Sequence, residues 1–170
     1  MNRKIGLGVM GWANFLYKLS IPYDSEEALN LAERVMSFIQ ATAHQTSQLL
    51  AEEKGDFPNI SASIYRHGHR RNATCTTIAP TGSLSLIADT SSGIEPVFAL
   101  AFRKRALDEE LKYLINPVFK EWVEKKYTTK QVKAIMEHVI ATGSIRGCPL
   151  IDPEIWQVFV TALEISPVWH

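Results

Sequence analysis

Residues 71–98, RNATCTTIAPTGSLSLIADTSSGIEPVF, decide the fold prediction for this chain. The β-branched run at residues 74–79 is typical of a buried strand, and the PTGS sequence at residues 80–83 indicates a turn that opens a short helix. The first amides of a helix have no partner within the helix, and the helix dipole favours negative charge at that end. This order of strand, turn and helix therefore predicts an anion-binding site.

Five consecutive residues would form the anion site: Thr81, Gly82, Ser83, Leu84 and Ser85. Three of them add hydroxyl donors to the backbone amides. The turn lacks the Gly-Lys-Ser/Thr ending of a P-loop and contains no Lys or Arg, so a bound phosphate would be held by amides and hydroxyls. Pro80 and Glu95 are candidates for supporting the turn, although Glu95 is equally interpreted as an ordinary loop acid.

The composition is ordinary for a soluble globular protein, and 170 residues suffice for one domain with a real core. Eighteen basic residues balance eighteen acidic ones, which argues against a general nucleic-acid or membrane-surface binder. The sequence contains no apolar run of the roughly 18 residues that span a bilayer. Two cysteines without a CxxC pair predict no metal site and fit a reducing cytoplasm.

Helical patterns lie on both sides of the central stretch. Residues 3–11 read as a short extended segment that leads into a helix, and the spacing of Asp24 and Glu27 predicts a capping box for a long helix that stops near Gly55. Residues 97–107 are predicted to be an extended segment or a bent strand.

Three further helices are predicted in the second half of the chain. They open at Asn116, at Thr128 or Thr129, and near Pro153, and the last has no clear end before Pro167. Only three or four strands are expected beside these helices. The predicted fold class is therefore α/β with helix in excess, as a piece of a larger architecture.

The GLGVMG sequence at residues 6–11 matches the glycine pattern of dinucleotide-binding sites. Such a site needs a longer preceding strand and an acidic residue that ends a second strand, whereas Asp24 opens a helix. Tight packing of a glycine-rich segment against a neighbour is the preferred interpretation.

A basic cluster follows the long helix: Arg66, His67, His69, Arg70 and Arg71. It is interpreted as a solvated loop, as a patch that steers phosphates or as a nucleic-acid contact, although Tyr65 alone offers an aromatic platform, which argues against single-strand binding. Cys75, within the predicted strand, is expected to be a small buried hydrophobic residue, and Cys148, beside Pro149 in a loop, to be exposed. Neither cysteine has a nearby base in sequence that would activate it.

The central blocks resemble the catalytic subunit of ribonucleotide reductase. They are RNAT at residues 71–74, TIAPTGS at residues 77–83 and SSGIEP at residues 91–96. The amino-acid sequence of these blocks resembles the class II, adenosylcobalamin-dependent form more than the class I large subunit. Similar stretches at residues 3–11, 21–28, 114–119, 143–147 and 165–170 extend the resemblance over essentially the whole chain.

The resemblance implies a ten-stranded α/β barrel in which a cysteine on a central loop carries a thiyl radical that takes the 3′ hydrogen of a ribonucleotide. Two further cysteines supply electrons. The Asn-Pro-Cys-Gly-Glu type of motif that carries the radical cysteine is absent from this sequence, and neither Cys75 nor Cys148 matches a catalytic cysteine position. No catalytic residue and no metal ligand is expected in this segment.

By this resemblance, residues 1–170 are a single segment, the C-terminal part of the barrel domain, and the turn at residues 81–85 binds substrate phosphates. Ser83 is threonine in many relatives, which keeps the hydroxyl. The implied partners are the ribonucleotide, the rest of the catalytic chain and a second copy in a dimer, in the cytoplasm and without nucleic acid or membrane. Adenosylcobalamin would bind mainly outside the segment. The alternative function is a stand-alone nucleotide- or phosphate-binding module without catalysis.

Overall fold

The computed structural model describes residues 1–104 and 112–169, which fall into two compact units. The first unit comprises Met1–Val9 and Leu29–Ala79, and the second comprises Met10–Ala28 and Pro80–His170. Helix dominates the described residues, as the sequence predicts. The helices are α1 (Trp12–Leu19), α2 (Glu26–Lys54), α3 (Gly82–Ile87), α4 (Pro117–Lys126), α5 (Thr129–Thr142) and α6 (Pro153–Val158), and the strands are β1 (Ala101–Lys104) and β2 (Lys112–Ile115).

Helix α2 begins one residue later than the capping-box prediction requires. Ser25, not Asp24, supplies the cap, because its hydroxyl accepts the Ala28 amide at 3.2 Å. The predicted stop at Gly55 is confirmed, since this glycine has a left-handed φ of 79° and donates its amide to the Ala51 carbonyl at 2.8 Å.

In the first unit, the predicted strand at residues 74–79 is reduced to a single parallel bridge between Leu7 and Thr76. Two hydrogen bonds flank the bridge, from Leu7 N to Cys75 O at 2.8 Å and from Thr77 N to Leu7 O at 3.1 Å. The prediction of a regular strand was therefore wrong in extent. Within the described residues, only the N-terminal segment pairs with this run, and a short irregular pairing forms no continuous ladder.

The core of the second unit is built around Phe159, which is almost fully buried. Its ring lies 5.3 Å from that of Phe119 on α4, 4.9 Å from Tyr17 on α1 and 5.0 Å from Trp122 on α4. Such tilted aromatic pairs add to the stabilisation that burial gives. Cys148 belongs to the same core at 1% exposure, so the expectation of an exposed thiol was wrong.

Strands β1 and β2 form an antiparallel hairpin with Ala101 opposite Ile115. The predicted extended segment is confirmed for Ala101–Lys104, while residues 105–107 lie outside the described residues. The Asn116 side chain caps α4 by accepting two backbone amides, and Thr128 caps α5, as predicted.

Helix α6 ends at Val158, well before Pro167, so the prediction of a helix without a clear end was wrong. A separate 3-10 turn, Ala162–Glu164, follows it, because Glu164 accepts the Thr161 amide and hydroxyl at 2.8 and 2.7 Å. This capping box starts a new element where the sequence pattern suggested continuation.

Candidate phosphate-binding site

The predicted turn lies in the second unit, and Thr81 forms its corner. Thr81 has φ 50° and ψ 26°, the left-handed conformation that β-branched residues rarely adopt. Its hydroxyl oxygen accepts the Gly93 amide at 2.8 Å, which holds the corner in place. A strained residue fixed by a specific bond is typical of sites where function requires one backbone geometry.

The turn presents backbone amides at the start of α3. The first hydrogen bond of the helix runs from Ser85 N to Thr81 O at 2.8 Å, so the amides of Gly82, Ser83 and Leu84 precede it. These three residues are exposed. Accessible amides grouped in this way suit an oxyanion ligand.

Ser85 is 2% exposed and contributes differently from its neighbours. Its hydroxyl donates to the Gly82 carbonyl at 3.1 Å and pairs with the Ser92 hydroxyl at 2.9 Å. The structure thus brings all five predicted residues together but gives the Thr81 and Ser85 hydroxyls partners within the protein. Ser83 remains the exposed hydroxyl of the turn.

The second loop, residues 90–96, supports the turn and is itself held by the start of α1. Gly11 N donates to Ser91 O at 2.8 Å, and Trp12 N donates to Gly93 O at 3.3 Å. Gly11 has φ 83°, and a Cβ there would lie 2.6 Å from the Thr90 hydroxyl oxygen. Glycine is therefore required at this position for both backbone conformation and close approach. The sequence analysis missed this support, because Gly11 and Trp12 are far in sequence from the loop that they hold.

A cavity of about 440 Å³ adjoins the turn, and Gly82, Ser85 and Glu95 contribute to its lining. Glu95 is exposed, and Pro80 leads into the corner residue. Beside this loop, the Tyr23 hydroxyl donates to Ile94 O at 2.7 Å. Burial, with the charge of Glu95, raises the pKa of Tyr23, so the phenol keeps its proton and the hydrogen bond.

The glycine-rich motif at the N-terminus packs as the sequence analysis preferred. A Cβ on Gly6 would lie 2.6 Å from Thr77 Cγ2, and one on Gly8 would lie 2.9 Å from the Thr77 carbonyl oxygen. Both glycines allow the close contact of two backbone segments within the first unit.

Two arginines of the basic cluster make structural contacts, whereas Arg66, His67 and His69 are exposed. Arg71 donates to the Lys54 and Gly55 carbonyls at 2.6 and 3.0 Å and so caps the end of α2. Arg70 is buried with its guanidinium 4.3 Å from the centre of the Tyr65 ring. These contacts favour the structural interpretation for both arginines.

In residues 1–104 and 112–169, no group of three or more His, Cys, Asp or Glu side chains could hold a metal ion. No helix described there is long and apolar enough to cross a membrane. Cys75 and Cys148 are both free and buried.

Comparison with known proteins places these features in a family. The model of the ribonucleotide reductase barrel domain matches residues 1–70 and 59–170. A vitamin B12-dependent ribonucleoside-diphosphate reductase of Thermoplasma acidophilum is 48% identical over 100% of this chain, and one of Mycobacterium tuberculosis (strain CDC 1551 / Oshkosh) is 46% identical over 99%. The chain spans only 22% and 24% of the lengths of these two relatives.

A solved structure agrees with this placement. The class Id ribonucleotide reductase alpha subunit of Actinobacillus ureae superimposes with a TM-score of 0.79 and 27% identity, over 99% of this chain and 29% of that subunit. The two-loop arrangement, the matched family model and the structural likeness lead to one conclusion: the chain belongs to the ribonucleotide reductase family and forms part of its barrel domain.

Proposed function

We propose that residues 1–170 form the C-terminal part of the barrel of a ribonucleotide reductase and anchor the phosphates of the substrate. The whole enzyme converts ribonucleotides, in the diphosphate form, to deoxyribonucleotides. The observation that carries this proposal is the strained Thr81 corner, which the Gly93 amide fixes while three amides remain free at the start of α3.

The amides of Gly82, Ser83 and Leu84 and the Ser83 hydroxyl bind phosphate oxygens. Thr81 and Ser85 form the two ends of the turn, and their internal bonds keep the donors in one arrangement before substrate arrives. Such preorganisation lowers the entropy lost on binding and fixes the position of the ribose that the phosphates carry. Pro80, which precedes the corner residue, and Glu95, which lines the same cavity as Gly82 and Ser85, are the residues that would support the turn.

The radical chemistry belongs to the remainder of the catalytic chain. Cys75 and Cys148 are 3% and 1% exposed, and a buried thiol without an activating partner is a poor candidate for radical or disulfide chemistry. The segment therefore supplies binding and orientation, and another segment supplies the reacting cysteines.

Adenosylcobalamin supplies the radical in the B12-dependent form of the enzyme. The cavity of about 440 Å³ beside the turn has no cysteine in its lining, so a cofactor bound there would find no thiol to convert to a radical, and the residues that line it do not fit the cofactor's role. The cofactor binds mainly to other parts of the reductase. The full enzyme is a dimer in the cytoplasm and acts without nucleic acid or membrane.

The test introduces a negative charge at the exposed Ser83 in the full reductase chain. Ser83→Glu places a carboxylate in the first turn of α3, where it favours the helix but repels a phosphate. We expect the KM for the nucleoside diphosphate to rise about tenfold or more, equivalent to about 1.4 kcal/mol. Ser83→Gln is the matched control, because it has nearly the same size without the charge, and it should change the KM much less.

An equal KM for Ser83→Glu and wild type would contradict the proposed phosphate site. Two results together would favour the stand-alone module: the isolated chain binds nucleotide, and the activity of the reductase does not depend on this segment.

A further inference from the structure

We infer that Asn14 is a positioning residue for the phosphate turn, although it belongs to α1 and is far from the turn in sequence. The inference rests on the proposed phosphate site and extends it to the residues that hold the second loop. Asn14 is a polar residue that is only 5% exposed, in a helix whose other buried residues are Ala13, Leu16 and Tyr17.

Asn14 makes three hydrogen bonds that converge on the second loop and on the start of α4. Its backbone amide donates to the Ser91 hydroxyl at 3.3 Å, and its side-chain Nδ2 donates to the Thr90 hydroxyl at 3.3 Å. Its Oδ1 accepts Nδ2 of Asn116 at 2.6 Å. A buried amide with partners on both ends is held in one orientation.

The orientation of the Asn14 amide is determined by the cap of α4. Asn116 Oδ1 accepts the amides of Val118 and Phe119, both at 3.1 Å, so its Nδ2 must face away from the helix. That Nδ2 requires an acceptor, which makes Oδ1 the end of Asn14 that faces Asn116. Nδ2 of Asn14 must then face Thr90, and the chain of donors and acceptors is fixed from α4 to the loop.

The loop passes this constraint on to the turn within four residues. Asn14 fixes Thr90 and Ser91, the next residue, Ser92, bonds the Ser85 hydroxyl, and Gly93 bonds the Thr81 hydroxyl. Loss of the Asn14 side chain therefore removes the bond to Thr90 and the link to Asn116 from the support of the second loop, while the backbone bonds from Gly11 and Trp12 remain. Because phosphate binding by several amides needs all of them in place together, a small displacement of the loop weakens binding.

The experiment uses the full reductase chain and two readouts, the KM for the nucleoside diphosphate and competitive inhibition by inorganic pyrophosphate, which probes the phosphate site alone. Asn14→Leu keeps the side-chain volume and removes the side-chain hydrogen bonds. We expect its KM and its inhibition constant for pyrophosphate to rise together by about tenfold, with turnover at saturating substrate changed less than about threefold.

Asn116→Ser is the second variant, for use if Asn14→Leu fails to fold. The serine hydroxyl is also a favourable cap for α4 but lacks the Nδ2 that donates to Asn14, so the substitution breaks the link and keeps the cap. Both constants should rise here as well. Asn59→Leu is the control, because it removes another amide–amide bond, from Asn59 Nδ2 to Asn2 Oδ1 at 2.9 Å in the first unit, and it should leave both constants unchanged.

The outcomes separate this inference from the proposed function. If Ser83→Glu raises both constants while Asn14→Leu and Asn116→Ser leave them within twofold of wild type, Asn14 has no positioning role and the phosphate site stands. If Ser83→Glu has no effect, or if pyrophosphate does not compete with substrate in the wild type, the phosphate site itself is wrong. Loss of turnover with an unchanged inhibition constant would also overturn the role of Asn14.

Discussion

Gly93 donates its amide to the Thr81 hydroxyl at 2.8 Å, although the two residues are twelve positions apart. This bond joins the PTGS turn to the SSGIEP loop, the two most distinctive blocks of the sequence. Because Gly93 is buried, its amide has no access to water and depends on the threonine. The two motifs are therefore parts of one structure, and a change in either is expected to affect both.

Substitution of Thr81 tests that bond directly. Thr81→Val keeps the branched shape but leaves the buried Gly93 amide without its acceptor, which should lower the free energy of unfolding by about 1 to 3 kcal/mol. Thr81→Ser keeps the hydroxyl and removes the methyl group that disfavours the left-handed conformation, so it should be neutral or slightly stabilising. Chemical denaturation of the two variants beside wild type measures the difference. Equal stability of the valine and serine variants would show that the bond contributes little.

The sequence was sufficient to predict the turn at residues 81–85 because its determinants are local. A proline, a glycine and small hydroxyl residues after a β-branched run specify a turn and a helix start without reference to the rest of the chain. The support from Gly11, Asn14 and Asn116 could not be predicted in this way. Gly11 and Asn14 bond the loop, and Asn116 bonds Asn14, through hydrogen bonds across large sequence separations that no local pattern encodes.

Substitution of the two cysteines tests whether this segment contributes a reacting thiol to the reductase. In the full reductase, Cys75→Ala and Cys148→Ala should leave turnover largely intact, because both thiols are buried and free. Cys148→Ser should be less stable than Cys148→Ala, since it places a hydroxyl in an apolar core. Steady-state kinetics and thermal unfolding measure the two effects. A loss of turnover of more than about a hundredfold, about 2.7 kcal/mol of barrier, in a folded variant would assign a catalytic role.

The error over Cys148 has a physical explanation. The residues around it, with Pro149 and a nearby glycine, are typical of an exposed loop. The structure folds this loop over the core, where Cys148 joins Ile145 and Ile151, and Ile145 O accepts the Cys148 amide at 3.0 Å. Burial of a loop depends on what packs above it, and this information is absent from the local sequence.

Glu164 predicts how the stability of the second unit depends on pH. Burial opposes its ionisation, but hydrogen bonds from Ser144 and Thr161 and the charge of Arg146 outweigh burial and hold the pKa of Glu164 below its usual value. A carboxyl with a lowered pKa stabilises the fold above its unfolded pKa, and this stabilisation is lost as the pH falls through the folded pKa.

The variant for this test is Glu164→Gln, which removes the charge at every pH. Near pH 7 it should be about 2 kcal/mol less stable than wild type, because several donors lose a charged acceptor. The difference should shrink as the pH falls below the usual range of a glutamate and through the lowered pKa of Glu164, because the wild-type carboxyl then becomes protonated. Urea denaturation across this range measures it. Glu124→Gln, at an exposed position of α4, is the control and should show little difference, because exposed ion pairs contribute little. A stability difference between Glu164→Gln and wild type that does not change with pH would contradict the lowered pKa of Glu164.

Exposed apolar side chains in the first unit predict that the isolated chain associates with itself or is only marginally stable. Phe38 on α2 is 72% exposed, and Leu29 and Leu49 on the same helix are also exposed. A cavity of about 380 Å³ with an apolar lining that includes Ile5, Leu7 and Phe38 lies in the same unit. Soluble monomers rarely expose connected apolar surface of this kind, so we expect the isolated chain to self-associate or to be marginally stable.

Light scattering and thermal melting test this prediction with and without a complementary polypeptide from the remainder of the reductase. The partner should raise the melting temperature in proportion to the logarithm of its concentration once it is in excess, because it binds the folded state alone. Phe38→Ser should reduce self-association without lowering stability much, whereas Leu16→Ser, in the buried core of the second unit, should unfold the chain. A monodisperse, stable monomer whose melting temperature is unchanged by the partner would contradict the view that this segment needs the rest of the barrel.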